Sequence, residues 1–133
     1  PIQTFFELAQ KKLTPNGIVV ANLISAVTGP SGKIARAFVK TQRRIFPQTY
    51  VFAARRPENV SVDSIQNVIV IATKETQRLD IKDIVKRAAA LDKGLFPNPI
   101  TDISVAYYDG ALPDHDVPVL TDDYAPTDNL LNP

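Results

Sequence analysis

Ile18-Val19-Val20-Ala21-Asn22-Leu23-Ile24 is the stretch on which the fold turns. Only Asn22 interrupts its apolar run. A run this short, bounded by turn signals, reads as a strand buried on both faces, and such strands belong to parallel sheets. Pro15-Asn16-Gly17 sets its start, because proline does not continue a helix and Asn-Gly favours a turn. Upstream, Thr4 to Leu13 reads as a helix, with Phe5, Leu8, Ala9 and Lys12 at helical spacing and Leu13 closing the apolar side. Downstream, Gly29-Pro30-Ser31-Gly32 leads into a helix that runs through Ile45, with Ser31 as its N-cap. Ile34, Phe38, Thr41 and Ile45 form its inner stripe, and Lys33, Arg36, Lys40 and Arg43 its outer one. Phe46-Pro47 ends it, since the residue before proline avoids helical backbone angles.

Two further strands follow, Thr49 to Ala53 and Gln66 to Thr73, both rich in β-branched and aromatic residues. Their connection, which carries Arg55-Arg56-Pro57, is too short for a parallel crossover, so the pair is expected to be antiparallel. The next helix has the clearest start. Asp80 is its N-cap, Asp83 stands at N3, and Leu79 with Ile84 supplies a hydrophobic staple. Ile81, Ile84, Val85, Ala88 and Leu91 share one face, and Gly94 ends the helix. Six prolines between 97 and 133 make the remainder an extended, ordered segment, with Ile103 to Tyr107 as a short strand by alternation.

Composition bounds the rest. The chain has 133 residues, 44% of them hydrophobic, which is enough for one domain with a core. It has no cysteine, so disulfides, thiolate metal sites and cysteine nucleophiles are excluded. No run approaches the roughly 20 apolar residues of a membrane span, and a cytoplasmic location is expected. The net charge of +1 hides an asymmetry: all 15 Lys and Arg lie in residues 1–94, while residues 95–133 hold none and seven aspartates. The expected organisation is a single partial domain, 1–133, with a basic α/β body (1–94) and an acidic, proline-rich tail (95–133) packed along it. The basic residues are scattered with few aromatics among them, so nucleic acid is not expected as a partner.

A second motif lies near the end: Val119-Leu120-Thr121-Asp122-Asp123-Tyr124-Ala125-Pro126-Thr127-Asp128-Asn129-Leu130-Leu131. It resembles the closing motif of the spermidine-synthase-like proteins, a branch of the Rossmann-type methyltransferase superfamily. Phe5-Phe6-Glu7-Leu8 and Leu13-Thr14-Pro15-Asn16-Gly17 through Asn22 are similar to the same family's helix and fifth-strand passage. The resemblance covers nearly the whole chain but only the C-terminal half of the family's catalytic domain. It implies a Rossmann-like α/β sheet: a parallel strand, a helix, an antiparallel strand pair, a further helix and an ordered tail. It implies a transferase parent using S-adenosylmethionine or its decarboxylated form, moving a methyl or aminopropyl group to a small-molecule amine or other acceptor. The cofactor loop, ribose-binding acid and catalytic aspartates of the family have no counterpart here. The fragment is therefore expected to be inactive alone and to need no cofactor. The start at Pro1-Ile2, in mid-motif and without methionine, is expected to reflect excision from a longer protein. The alternative is a non-catalytic interaction module that kept half of the enzyme fold. Without a neighbour from the missing N-terminal half, strand 18–24 is expected to self-associate.

Candidate site residues follow. Asn22 ends the first strand, where open α/β sheets take ligands, and Ser25 lies just beyond; both are candidate substrate contacts. Asn22 reads equally as a cap for local backbone groups. Asp122, Asp123 and Tyr124 either face a cationic amine or act structurally, with Tyr124 and Leu130-Leu131 pinning the tail to the sheet. Gly29-Pro30-Ser31-Gly32 lacks phosphate-loop spacing and reads as a helix-start turn. Asp114-His115-Asp116 points its side chains in different directions, so no metal site is expected there.

Overall fold

The computed structural model describes residues 2–53, 60–94, 100–121, 123–124 and 129–130. Its elements in chain order are α1 (Ile2–Lys12), β1 (Ile18–Ser25), a 3₁₀ turn (Pro30–Gly32), α2 (Lys33–Arg43), β2 (Gln48–Ala53), β3 (Gln66–Thr73), α3 (Ile81–Leu91), α4 (Ile100–Ser104) and β4 (Tyr107–Tyr108). The strands form one sheet in the order β1-β3-β2-β4. Every neighbouring pair is antiparallel: β1 with β3 from Ile18↔Thr73 to Ser25↔Gln66, β2 with β3 from Gln48↔Thr73 to Ala53↔Val68, and β2 with β4 through Val51↔Tyr108. The chain is thus α/β with a four-stranded antiparallel sheet, and the expected β2–β3 pair is present.

The pairing of β1 differs from expectation. A parallel strand buried on both faces was expected, but β1 pairs antiparallel with β3 at the end of the sheet. Its burial alternates. Val19, Ala21 and Leu23 are half-buried, whereas Ile18, Val20 and Ile24 are 51%, 55% and 70% exposed. A short apolar run does not tell one covered face from two. Here the second covering layer ends before it reaches β1. Because β3 runs against both neighbours, β1 and β2 point the same way with β3 between them.

The inner face of the sheet carries the core. Cross-strand partners share a face, so Val51, Ala53, Val68 and Val70 project together, and they pack against Val27 and against Ala35 and Val39 of α2. Phe6 of α1 meets Phe46 and Ala72 and lies edge-on to Phe38 at 5.2 Å between ring centroids. The other side of α2 is covered by the tail: Ala37 packs with Val117, Leu120 and Leu130. A helix covered on two sides has little room for a polar stripe. Arg36, expected to face outward, is only 4% exposed, and Gln42 and Thr41 are fully buried.

Local signals give the element ends. Asp80 and Asp83 make the expected capping box, with Asp83 N donating to Asp80 Oδ1 at 2.9 Å and Asp80 N to Asp83 Oδ2 at 3.2 Å. Ser31 does not cap α2. The 3₁₀ turn intervenes and Gly32 takes the cap position without a side-chain bond. Residues 103–107 form no continuous strand: α4 ends at Ser104, and β4 holds only Tyr107 and Tyr108. Among the described residues no helix is long and apolar enough to cross a membrane.

Candidate functional site

β1 and β2 deliver their carboxyl ends to one rim of the sheet, the place where open α/β sheets collect ligands. In this chain the rim is filled by its own loops. Val27 N and Thr28 N both donate to Val62 O, at 2.8 and 3.1 Å, and Ala26 N donates to Ser31 O at 3.1 Å. A Cβ on Gly32 would lie 2.9 Å from the Val27 carbonyl carbon and oxygen, so the turn needs glycine for close approach. Arg36 reaches into this rim from α2. Its guanidinium forks onto the Asp116 carboxylate and donates to Pro113 O at 2.9 Å and Gly29 O at 3.1 Å. One buried cation thereby ties the loop after β1, α2 and the tail together. The hydrogen bond from Arg36 holds the Asp116 carboxyl below the usual carboxylate range. Lys40 continues the clasp, with Nζ donating to Asp114 O at 2.7 Å and Val117 O at 2.8 Å. Thr41 completes it: its hydroxyl donates to Ala37 O and accepts from Leu120 N, both at 2.8 Å.

The residues nominated from sequence do not converge. Asn22 does not end β1, which runs on to Ser25; it lies mid-strand, exposed on the outer face opposite Ile69 and short of the carboxyl rim. Ser25 is 2% exposed and its hydroxyl donates to Ala26 O at 2.8 Å and to Ser31 O at 3.2 Å, a local structural role. Asp122 lies outside the described residues, as do Arg55 and Arg56. Asp123 is exposed, and Tyr124 is 59% exposed in a tight turn where Thr121 N donates to Tyr124 O at 2.9 Å. Tyr124 therefore does not pin the tail. Leu130 does, against α2 rather than the sheet, and Leu131 lies outside the described residues. The tail sits over α2 on the inner side, so Asn22 and Tyr124 stand on opposite sides of the sheet. Among the described residues no group of three His, Cys, Asp or Glu side chains is placed to hold a metal ion.

Sequence reasoning missed the outer face. Arg78, just before α3, lies 5.0 Å over the Tyr50 ring and donates to Tyr107 Oη at 3.0 Å and Thr49 O at 3.2 Å. Tyr50 Oη in turn accepts from Leu79 N at 2.9 Å. Beside them opens a cleft of about 370 Å3 of mixed lining, with Arg78, Asp80 and Asp109 beside Leu79, Ile81 and Tyr107. An apolar cavity of about 330 Å3 lies between the sheet and α3–α4, walled by Phe52, Ile69, Ile71, Ile84 and Ile103 among others. Arg78 meets partners that are 29 residues distant in sequence, and no spacing rule marks such a pair. A third opening, about 350 Å3, runs between α1 and the edge of β1 that is unpaired among the described residues, past Ile2, Phe5, Val19, Val20 and Ala21.

No protein-family model, no curated protein and no solved structure matches this chain.

Proposed function

We propose that this chain is the C-terminal, substrate-side portion of a spermidine-synthase-like, S-adenosylmethionine-dependent transferase domain of the cytoplasm. One observation carries the reading: β1 and β2 run in the same direction with β3 inserted antiparallel between them, and the other edge of β1 is open among the described residues. Of the two sheet ends, the two-residue β4 and the eight-residue β1, β1 offers the full-length edge that a parallel, Rossmann-like half would need. Added there, a strand from an upstream half would shelter Ile18, Val20 and Ile24 and extend the carboxyl-end rim on which donor and acceptor meet. The parent's reaction is group transfer. An amine lone pair attacks the carbon beside the sulfonium, the carbon–sulfur bond breaks with its electron pair going to sulfur, and the amine proton leaves to a base. The donor, S-adenosylmethionine or its decarboxylated form, and the base belong to the upstream half, so this portion alone is inactive. Its candidate acceptor contacts are split between two sides of the sheet, with Asn22 on the outer face of β1 and Asp123 and Tyr124 with the tail on the inner side; Asp122 lies outside the described residues, and the Ser25 hydroxyl is engaged locally.

Calorimetric titration of both donors tests this, using the present chain and a chain extended upstream by about half a domain. Binding to the extended chain alone is expected, and the preferred donor names the group transferred. Binding to neither would reject the transferase reading. It would favour a non-catalytic interaction module, for which the exposed apolar residues around β1 and α1 are the motivating observation.

A further inference from the structure

We propose that the free edge of β1 is a homotypic interface, at which two copies of this chain pair β1 to β1, antiparallel, into one continuous sheet. The proposal rests on the edge itself and not on the transferase reading. β1 stands at the end of the sheet order, and its ladder with β3 is unbroken from Ile18 to Ser25. Natural sheets blunt such edges with proline, charge, bulges or very short strands. Residues 18–25 contain no proline and no charged side chain, and the unbroken register leaves no bulge. The residues that line the edge are apolar and open to solvent: Phe5 is 57% exposed, Val20 55% and Ile24 70%. A groove between α1 and β1 opens beside this edge, lined by Phe5, Val19, Val20 and Ala21.

The sequence of β1 fits itself. A two-fold axis through Ala21 sets Ala21 against Ala21, Val20 against Asn22, Val19 against Leu23 and Ile18 against Ile24. Directly opposed residues share a face. The two Ile18–Ile24 pairs then form on the bare outer face, and the two Val19–Leu23 pairs continue the inner core. The charges of Lys11, Lys12 and Asp63 are compatible with the same orientation. Lys11 and Lys12 close α1 just ahead of β1. Asp63 follows Val62, whose carbonyl holds the chain leaving β1. Antiparallel pairing brings the lysine end of each copy beside the Asp63 end of the other, whereas parallel pairing would set like ends together.

The test uses sedimentation equilibrium across micromolar concentrations together with cross-linking, which is clean because the chain has no cysteine of its own. The wild-type chain is expected to dimerise. Val20→Lys, at an exposed position, is expected to raise the dissociation constant by at least about 10-fold while leaving the circular dichroism spectrum unchanged. Ala21→Cys is expected to form a disulfide-linked dimer on oxidation, because opposed Cα atoms in an antiparallel pair lie about 4.5–5.5 Å apart, inside the disulfide span. Lys86→Cys, on the exposed side of α3, serves as the control and should not. A wild-type monomer at every concentration would overturn the proposal. So would a dimer indifferent to Val20→Lys, or Ala21→Cys cross-linking no faster than the control. In the upstream-extended chain a parallel half would compete for this edge, so a monomer there bears on the transferase reading and not on this one.

Discussion

Replacing Thr41 by valine should loosen the tail before anything else. Thr41 is fully buried on α2, and its hydroxyl is the acceptor for Leu120 N, a bond that is itself buried. Valine preserves the shape and removes the oxygen. Ala37 O, which loses the hydroxyl donor, keeps its place in the helical ladder. Leu120 N has no such second partner and is left buried and unpaired, which costs about 2 kcal/mol. For a chain of this length that is a fall of roughly 6 °C in melting temperature. Thr41→Ser keeps the oxygen and removes one methyl group, at about 1 kcal/mol. The serine variant should therefore be the milder of the two. Denaturant titration of both variants gives the ordering. Hydrogen exchange at the Leu120 amide gives the location, with protection lost in the valine variant at denaturant concentrations where the β3 amides remain protected. Equal stability of wild type and Thr41→Val, or a serine variant worse than the valine one, would refute the argument that this hydroxyl fastens the tail.

The clasp should also be pH-dependent. The Asp116 carboxyl is held below its ordinary value by Arg36, so its contribution is complete above the unfolded value and is lost as pH falls through the folded one. The melting-temperature gap between wild type and Asp116→Asn should be constant near neutrality and shrink below about pH 4; a gap that widens on acidification would contradict the assignment. Gly32→Ala should cost about 1–3 kcal/mol, because its Cβ meets backbone atoms of Val27 that have no room to move. Gly94→Ala, with φ of 70° and nothing within 4 Å, should cost only the roughly 1–2 kcal/mol of a left-handed backbone. Thermal melts of the pair check the order.

What the sequence made legible was local. The capping box of α3 and the bounds of β3 follow from signals within a few residues of each other, and both stand as read. The pairing of β1 is a non-local fact. Its composition suits any covered strand and does not say that β3 would return between it and β2. Arg36 misled for a related reason. Its spacing on α2 assigns it to the polar stripe, but the tail that covers that stripe arrives about 80 residues later in the chain and carries the carboxylate that satisfies it. The same limit applies to the candidate site. Ser25 was nominated for its place at a strand end, yet its hydroxyl is absorbed by the adjacent turn. Asn22 remains exposed but stands on the opposite side of the sheet from Tyr124. The Arg78–Tyr50–Tyr107 cluster was invisible because sheet order alone brings its members together.

The open edge of β1 underlies both functional proposals, and hydrogen exchange of its backbone amides over a dilution series tests it most directly. Amides that pair with β3 should be protected at every concentration, while those on the free edge should exchange fast in dilute solution and gain protection as concentration rises. Uniform protection of β1 even at high dilution would mean that the chain covers this edge itself, and would contradict the account.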